Sequence, residues 1–287
     1  MFLPRKIIEK KLLEFLKEDL GHGDITTSIL IPENVKVKAE IIAKEPGIIA
    51  GIEEAKILLE SLGIKAEAKI KDGQKTSGEK TILELEGSAR TILAVERTLL
   101  NLISRMSGIA TATNKIVEKV KGAGYKVRIA CTRKTAPGLE YFDKKAVLLG
   151  GGDPHRLHLD DMILIKDNHI AIVGSTKKAI EIAKKKASFA KKIEIEVSSV
   201  DGAIEAAKAG ADIIMLDNFM PKDIKKTIEK LQKEKLRKRV LVEASGKINE
   251  ENILEFASAG VDIISLGSLT HSVKALDISL EITEAKK

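Results

Sequence analysis

The sequence predicts an α/β fold in which a β/α barrel follows a smaller α+β unit. Beyond residue 122, short apolar segments alternate with helical segments, an order that produces parallel strands joined by right-handed crossovers. The segment AKAGADIIMLDN, residues 207–218, returns as ASAGVDIISLGS at residues 257–268. No G-x-G-x-x-G motif follows the first of these strands, which favours a barrel over a dinucleotide-binding sheet.

Composition agrees with this fold class. Hydrophobic residues make up 44% of the 287 residues but aromatic residues only 3%. The apolar core therefore consists of Ile, Leu, Val and Ala, as is typical of parallel sheets wrapped by helices.

The first part of the chain, Val35 to Glu86, predicts the small α+β unit. It contains the strand segments VKVKAEIIAK and TILELE, a helix near residues 53–62, and turns at Pro46-Gly47 and Asp72-Gly73. A helical tract, SARTILAVERTLLNLISRM, follows, and a second helix is expected from Ser107-Gly108 to about Gly122. We place the domain boundary in this helical pair.

Three segments follow from that boundary. We expect an N-terminal domain over residues 1–107 and a catalytic barrel over residues 108–272. We expect residues 273–287 to form a C-terminal helix that packs back on the N-terminal domain.

Six apolar segments of the second part predict strands: KVRIAC, MILIK, KIEIEV, DIIMLD, RVLVEA and DIISLG. Chemistry in a β/α barrel collects where the strands end. The polar residues at these ends are Thr132, Arg133 and Lys134; Lys166, Asp167, Asn168 and His169; Glu194 and Glu196; Asp217 and Asn218; Glu243, Ser245 and Gly246; and Gly267, Ser268, Thr270 and His271. A surface salt bridge could explain one such residue, but six strand ends with the same character predict a functional site.

The charges at these ends predict an anionic ligand. The cations are Arg133, Lys134 and Lys166, joined by His155 and Arg156 from the loop LLGGGDPHRLHLDD. The triple glycine of that loop, residues 150–152, is expected to let the backbone approach the ligand. Two acids, Glu196 and Asp217, stand against the cations, and small residues at 245–246 and 267–268 are suited to cradle a phosphate. The ligand should therefore carry a phosphate and a dense carboxylate or pyrophosphate group.

Composition and charge argue against several other functional classes of protein. The net charge of +7 is compatible with an anionic partner or with a thermophile-like surface rich in Lys and Glu. The aromatic residues that a single-strand nucleic-acid binder stacks on bases are scarce. One cysteine predicts a reducing compartment, and the charged N-terminus and short apolar runs predict neither a signal peptide nor a membrane span. We expect a cytoplasmic protein without nucleic-acid or membrane partners.

A histidine-based metal site is disfavoured. His155 and His158 lie near Asp160 and Asp161, but the chain has only five histidines in all.

Nine motifs together resemble the quinolinate phosphoribosyltransferase family, also called carboxylating nicotinate-nucleotide pyrophosphorylases. They are EDLGHGDITT, VERTLLNLISRMSGIAT, TRKTAPGL, GGGDPHR, LIKDNH, IEIEV, MLDN, EASG and LGSLTHS, and they occur in the family's order over nearly the whole chain. One departure is Lys247, where the family usually has a second glycine after EASG.

The resemblance implies conversion of quinolinate and phosphoribosyl pyrophosphate to nicotinate mononucleotide, pyrophosphate and CO2 in de novo NAD biosynthesis. It implies an N-terminal α/β sandwich, a C-terminal open β/α barrel, Mg2+ as cofactor, and a homodimer whose sites are shared between subunits. It also allows a hexamer of dimers.

The resemblance assigns roles to residues. Lys134, Lys166, Glu196 and Asp217 would be catalytic, with Glu196 and Asp217 binding ribose hydroxyls or the metal. Substrate binding would involve Arg105 of the partner subunit and Thr132, Arg133, Lys134, His155, Arg156, Lys166, Glu196, Asp217, Ser245, Gly246, Lys247, Leu266, Gly267, Ser268 and His271.

Three other functions are compatible with parts of this pattern. A related phosphoribosyltransferase could act on another aromatic acid. A Schiff-base aldolase could use Lys134 or Lys166 as its amine. A basic nucleic-acid binder would show a steep salt dependence of its affinity.

Overall fold

A computed structural model describes residues 3–286, and Met1, Phe2 and Lys287, at the outer ends of the predicted domains, lie outside the described residues. The chain divides into two compact units. The first takes the chain up to Ala112, the short segment Leu148–Gly150 and the chain from Val273 onward. The second consists of Thr113–Val147 and Gly151–Ser272. The two units carry a mixed α/β fold, which confirms the predicted fold class.

The first unit is built on a four-stranded antiparallel sheet. Its elements before the long helix are α1 (Arg5–Leu20), α2 (Ile25–Leu30), β1 (Lys36–Ala43), β2 (Gly47–Ile48), α3 (Ile52–Ser61), β3 (Lys65–Ala68), β4 (Lys75–Thr76) and β5 (Lys80–Ser88). Helix α1 buries Ile8, Leu12 and Leu16, the stripe that a helical period of 3.6 places on one face, and packs against α3.

A single helix of 34 residues, α4 (Ala89–Gly122), follows β5, so the predicted break at Ser107-Gly108 is wrong. The two small residues serve packing instead. A Cβ atom on Gly108 would collide with the carbonyl of Lys274, and the Ser107 hydroxyl exchanges hydrogen bonds with the backbone of Ala50. Although α4 is long, no helix within residues 3–286 is apolar enough over sufficient length to cross a membrane.

The second unit alternates strands and helices around a six-stranded parallel sheet. Its elements are β6 (Arg128–Cys131), α5 (Glu140–Leu149), β7 (Ile163–Ile165), α6 (Asp167–Val173), α7 (Thr176–Lys186), β8 (Ile193–Val197), α8 (Val200–Ala209), β9 (Ile213–Asp217), α9 (Pro221–Lys233), β10 (Leu241–Ser245), α10 (Ile253–Ala257), β11 (Ile263–Leu266) and α11 (Ser268–His271), with a 3-10 turn at Arg237–Arg239.

The strand order makes this sheet an open barrel. The order is β6-β11-β10-β9-β8-β7, so the first strand pairs with the last, whereas the first and second strands lie at opposite edges. All six strands are those that the sequence predicts.

The internal repeat sets the positions of neighbouring strands. Asp212, which precedes β9, accepts a hydrogen bond from the Ile193 backbone N–H at 2.7 Å. Its counterpart Asp262, which precedes β11, accepts one from the Val242 N–H, also at 2.7 Å. Each aspartate therefore fixes the first residues of the adjacent strand, which levels the opposite ends of these strands.

The predicted C-terminal helix is wrong, because Ile278–Lys286 forms a strand, β12. The first-unit sheet has the order β12-β1-β5-β3, and β12 runs antiparallel to β1 from Ile278 opposite Ala43 to Lys286 opposite Lys36. Apolar residues occur at every second position, Ile278, Leu280 and Ile282, as is typical of a strand. The otherwise unpaired side of β1 supplies the hydrogen-bond partners of β12.

We predict that ending the chain at Asp277 destabilises the protein strongly. The loss of β12 exposes one side of β1, and each lost ladder hydrogen bond contributes about 0.5–1.5 kcal/mol. The melting temperature should fall by about 10 °C or more. Glu284→Ala is the matched control, since it removes only exposed ion pairs, with Lys38 and Lys286, and should leave the melting temperature nearly unchanged. An equal melting temperature for the truncated and full chains would refute the role of β12.

Candidate active site

A cavity of about 810 Å³ lies at the carboxyl ends of the six parallel strands. The strand pairing explains why one cavity gathers all six ends. Ser245, the last residue of β10, pairs with Asp217, the last residue of β9, and Leu266 at the end of β11 pairs with Cys131 at the end of β6. Residues that follow these level ends must share one space.

All the predicted substrate-binding residues except Arg105 line this cavity. They are Thr132, Arg133, Lys134, His155, Arg156, Lys166, Glu196, Asp217, Ser245, Gly246, Lys247, Leu266, Gly267, Ser268 and His271. Arg105 lies on α4 in the first unit and is half-buried. The roles of these residues stay predictions; their common location is what the structure establishes.

Cations are crowded within the cavity. Burial lowers the pKa of Arg156 from its ordinary value, and repulsion from Arg133 lowers it further. The backbone carrying Lys134 is fixed, because the Thr270 hydroxyl donates to the Lys134 carbonyl at 2.9 Å. Crowded cations on a fixed backbone are stabilised by an anion placed among them.

Two acids and a lysine face the same cavity from neighbouring strands. Lys166 Nζ donates to Glu196 Oε2 at 2.8 Å. Burial raises the pKa of Asp217, and the negative charge of Glu196 raises it further. The Asn218 amide donates to Asp217 at 2.5 Å. This arrangement provides carboxylate oxygens for hydroxyl groups or a divalent cation beside one ammonium group.

Below these groups lies a buried cluster of His155, Glu194 and Glu243. His155 Nε2 is 3.3 Å from Oε2 of each glutamate, and both glutamate side chains are 0% exposed. Burial alone would lower the pKa of His155, but the contacts with Glu194 and Glu243 outweigh it and raise the pKa to about 10. Burial also raises the pKa of Glu194 against the effect of His155. The two carboxylates together therefore favour the protonated imidazole.

Backbone strain is concentrated at the cavity. His155 (φ 53°), Asn218 (φ 57°) and Lys247 (φ 53°) adopt the left-handed conformation that favours glycine. A Cβ atom on Gly246 would collide with the Asn218 side chain, so glycine is required there. The Asn252 amide donates to the Lys247 carbonyl at 3.1 Å and helps to hold the strained turn. Strained residues persist only where surrounding contacts impose them, and they cluster at functional sites.

The expected role of the triple glycine is wrong. None of Gly150, Gly151 and Gly152 lines the cavity within the described chain. A Cβ atom on Gly152 would lie 2.6 Å from Thr113 Cγ2 and 2.9 Å from Val147 Cγ1. This glycine allows close packing behind the loop rather than contact with a ligand.

Several residues without an individually assigned role, among them the strand-end residues Asn218, Glu194 and Glu243, also belong to the site. The cavity is also lined by Cys131, Leu164, Met215, Asn218, Glu243, Ile248, Asn249 and Ser265. Glu194 lies beneath it. The segment IEIEV contained a signal for Glu194: with a period of two, Glu194 and Glu196 face the same side of β8, and the apolar residues face the other.

Comparisons with known proteins agree with the motifs. The family description "Quinolinate phosphoribosyl transferase, N-terminal domain" matches residues 24–107, and "Quinolinate phosphoribosyl transferase, C-terminal domain" matches residues 109–281. The chain is 52% identical over 277 residues to a probable nicotinate-nucleotide pyrophosphorylase [carboxylating] of Methanocaldococcus jannaschii, covering 96% of each chain. It is 47% identical over 273 residues to the protein so described in Methanothermobacter thermautotrophicus, covering 95% of this chain and 98% of that one.

A solved structure shows the same similarity in three dimensions. The nicotinate-nucleotide pyrophosphorylase from Francisella tularensis superimposes with a TM-score of 0.90 at 39% sequence identity. The match covers 98% of both chains.

Proposed function

The chain belongs to the quinolinate phosphoribosyltransferase family, and on that premise we propose that its cavity transfers a phosphoribosyl group to quinolinate and releases CO2. The enzyme is a nicotinate-nucleotide pyrophosphorylase of the carboxylating type, and its substrates are quinolinate and phosphoribosyl pyrophosphate. Its product, nicotinate mononucleotide, enters de novo NAD biosynthesis. The observation that carries this proposal is the crowding of Arg133 against the partly buried Arg156 in a cavity that also holds a pair of acids.

Quinolinate carries two adjacent carboxylates, and the crowded cations suit them. Arg133, His155 and Arg156 line one cavity, and guanidinium groups bind carboxylates through two parallel hydrogen bonds. Binding the dianion relieves the repulsion between Arg133 and Arg156. The same charges orient the pyridine nitrogen toward the ribose.

The reaction forms the bond between the pyridine nitrogen and the ribose anomeric carbon, while the bond from that carbon to pyrophosphate breaks. The electron pair leaves with pyrophosphate, and Lys134 and Lys166 stabilise the departing charge. Glu196 and Asp217 accept hydrogen bonds from ribose hydroxyls and stabilise positive charge on the ribose. When CO2 departs, its bonding electron pair stays on the adjacent ring carbon, where the positive charge of the alkylated nitrogen stabilises it, and a proton then takes the place of the carboxylate.

Glu196 and Asp217 also fit a magnesium ion. They are oxygen donors on neighbouring strands, and the raised pKa of Asp217 reflects its burial and the like charge of Glu196, a repulsion that a divalent cation removes. When bound, Mg2+ would supply charge neutralisation to the pyrophosphate. The ion pair between Lys166 Nζ and Glu196 Oε2, at 2.8 Å, holds the Glu196 side chain in position beside Asp217.

We expect the reaction to take place in the cytoplasm. The single cysteine, Cys131, is buried and unpaired, which agrees with a reducing compartment.

We predict that the purified protein with phosphoribosyl pyrophosphate and Mg2+ converts quinolinate and rejects nicotinate. Nicotinate lacks one carboxylate, so a cation of the cavity stays uncompensated, and kcat/KM should fall by roughly a hundredfold or more. Nicotinate mononucleotide and CO2 are measured directly. Equal turnover of both acids would contradict a dicarboxylate site, and an imine trapped by borohydride would favour an aldolase instead.

We predict that the Lys247 ammonium binds phosphate groups of the substrate. This binding outweighs the cost of the strained backbone at Lys247. Lys247→Gly removes a left-handed cost of about 1–2 kcal/mol and adds about 0.5–1 kcal/mol of glycine entropy, so stability should rise slightly or stay constant. The KM for phosphoribosyl pyrophosphate should rise roughly tenfold, and that for quinolinate should change little.

The matched control is Lys235→Gly. Lys235 is also an exposed lysine with positive φ, 58°, but lies after α9 and outside the cavity. Both variants should shift stability alike, and only Lys247→Gly should alter substrate affinity. Equal KM values in the two variants would exclude a phosphate role for Lys247.

We also propose a homodimer with shared sites, in which Arg105 serves the partner's cavity. The motif NLISRMSG that carries Arg105 supports this. We predict that mixing inactive Arg105→Ala and Lys134→Ala chains under subunit exchange restores about one quarter of wild-type activity. In each heterodimer one site lacks both groups and the other keeps both. No recovery despite demonstrated exchange would place Arg105 outside the partner's site.

A further inference from the structure

The cluster beneath the cavity has a composition that folding does not require. Glu194 and Glu243 are 0% exposed on strands whose flanking residues, Ile193, Ile195 and Val242, are apolar. A buried carboxylate costs several kcal/mol unless a partner compensates it, and well-packed apolar residues in its place are often neutral or stabilising. Two such acids in one barrel therefore indicate a role other than stability.

Both acids converge on one ring atom. Strand β9 separates β8 from β10, so Glu194 and Glu243 are not neighbours in the sheet. The curvature of the barrel nevertheless brings an oxygen of each to 3.3 Å from His155 Nε2. These are ion pairs without hydrogen-bond alignment, and the carboxylate oxygens have no other partner among the described residues.

The backbone of His155 is fixed from the opposite side. Its N–H donates to Asp153 Oδ1 at 2.7 Å, and it adopts a φ of 53°. The fully buried ammonium of Lys144 donates to the carbonyls on either side of His155, at 2.6 Å to Pro154 and 3.1 Å to Arg156. The strained backbone is therefore held by hydrogen bonds before and after His155. The orientation of the imidazole ring is then determined mainly by its contacts with the two acids.

We propose that Glu194 and Glu243 are positioning residues that hold the His155 imidazolium by Nε2 and leave its Nδ1–H to bind a carboxylate of the acid substrate. The inference deepens the proposed function and rests on it for the identity of the acid. Without the two acids, burial would favour a neutral ring, which can donate from only one nitrogen. With them, the ring is both charged and oriented.

The kinetic test is a double-mutant cycle between Glu243 and His155. Glu243→Gln keeps the shape of the side chain and should raise the quinolinate KM roughly tenfold, with the KM for phosphoribosyl pyrophosphate nearly constant. In a His155→Asn background the same change should have almost no further effect, because the group through which Glu243 acts is gone. Additive effects, or equal changes in both KM values, would overturn the proposal. Thr227→Val, at a fully buried hydroxyl on α9, is the control for lost buried polarity and should change neither KM.

A spectroscopic test does not depend on turnover. In protein labelled with 15N-histidine, His155, assigned by its loss in His155→Asn, should have both ring nitrogens protonated at about pH 8, where a free histidine is neutral. Glu243→Gln, and the double variant Glu194→Gln/Glu243→Gln if it folds, should move the spectrum toward a neutral ring. An unchanged spectrum in folded Glu243→Gln would overturn the proposal.

The same three residues offer ligand atoms within 4.8 Å of one another, so metal content is measured in protein purified without chelator. One equivalent of metal per chain that disappears in Glu243→Gln would replace this proposal with a metal centre. The two levels of inference fail differently. An inactive wild-type protein would refute the proposed reaction, and the spectrum would still decide how the acids act on His155.

Discussion

The levelling of six parallel strand ends is the constraint on which the rest of the structure depends. Hydrogen-bond register places the last residue of one strand opposite the last residue of the next, as with Ser245 and Asp217. Asp212 and Asp262 set this register from the other end by accepting from backbone N–H groups near the starts of adjacent strands. Polar residues that are distant in sequence therefore meet in one cavity, and the open seam between the first and second strands does not interrupt the row of ends.

The charged groups of the cavity lie at two levels, and the charges at each level must be balanced. At the level of the strand ends, Lys166 pairs with Glu196. Arg133 and Arg156 repel each other there, a repulsion that Glu194 and Asp161 offset only in part and that an anionic ligand would reduce further. One layer deeper, Glu194 and Glu243 balance His155. The deeper balance is internal, whereas in the proposed reaction the upper one is completed by the substrate. On that proposal, selectivity among acids would follow from the charge left uncompensated, a penalty that apolar walls cannot impose.

Sequence predicted the features that depend on local periodicity. The six barrel strands and the residues that follow them were accessible because each strand is a short apolar run that ends in polar groups. The C-terminal strand was not predictable in this way, because nothing within residues 278–286 specifies a pairing partner. Its strand conformation depends on pairing with the side of β1 that β5 does not occupy. Gly108 was misread because a glycine required by close packing looks in sequence like a helix break. Glu194 and Glu243 gained their meaning only when barrel curvature brought separate strands to one imidazole ring.

The positions of the residues with positive φ angles show where the backbone departs from the conformation that each residue type prefers. Outside the cavity, most positive φ angles fall on glycines such as Gly210 and Gly260, which follow α8 and α10. Glu79 and Lys235 are the non-glycine exceptions there among the described residues. At the cavity, His155, Asn218 and Lys247 take such angles although each carries a side chain. In all three the side chain or its neighbours belong to the cavity lining, and contacts elsewhere hold the conformation. The cost at each position is of order 1–2 kcal/mol, comparable to the gain from one charge-assisted hydrogen bond to substrate. Lys235 takes a similar angle outside the cavity, so strain alone assigns no role. What sets Lys247 apart, the lysine that departs from the family's glycine, is its place in the cavity lining.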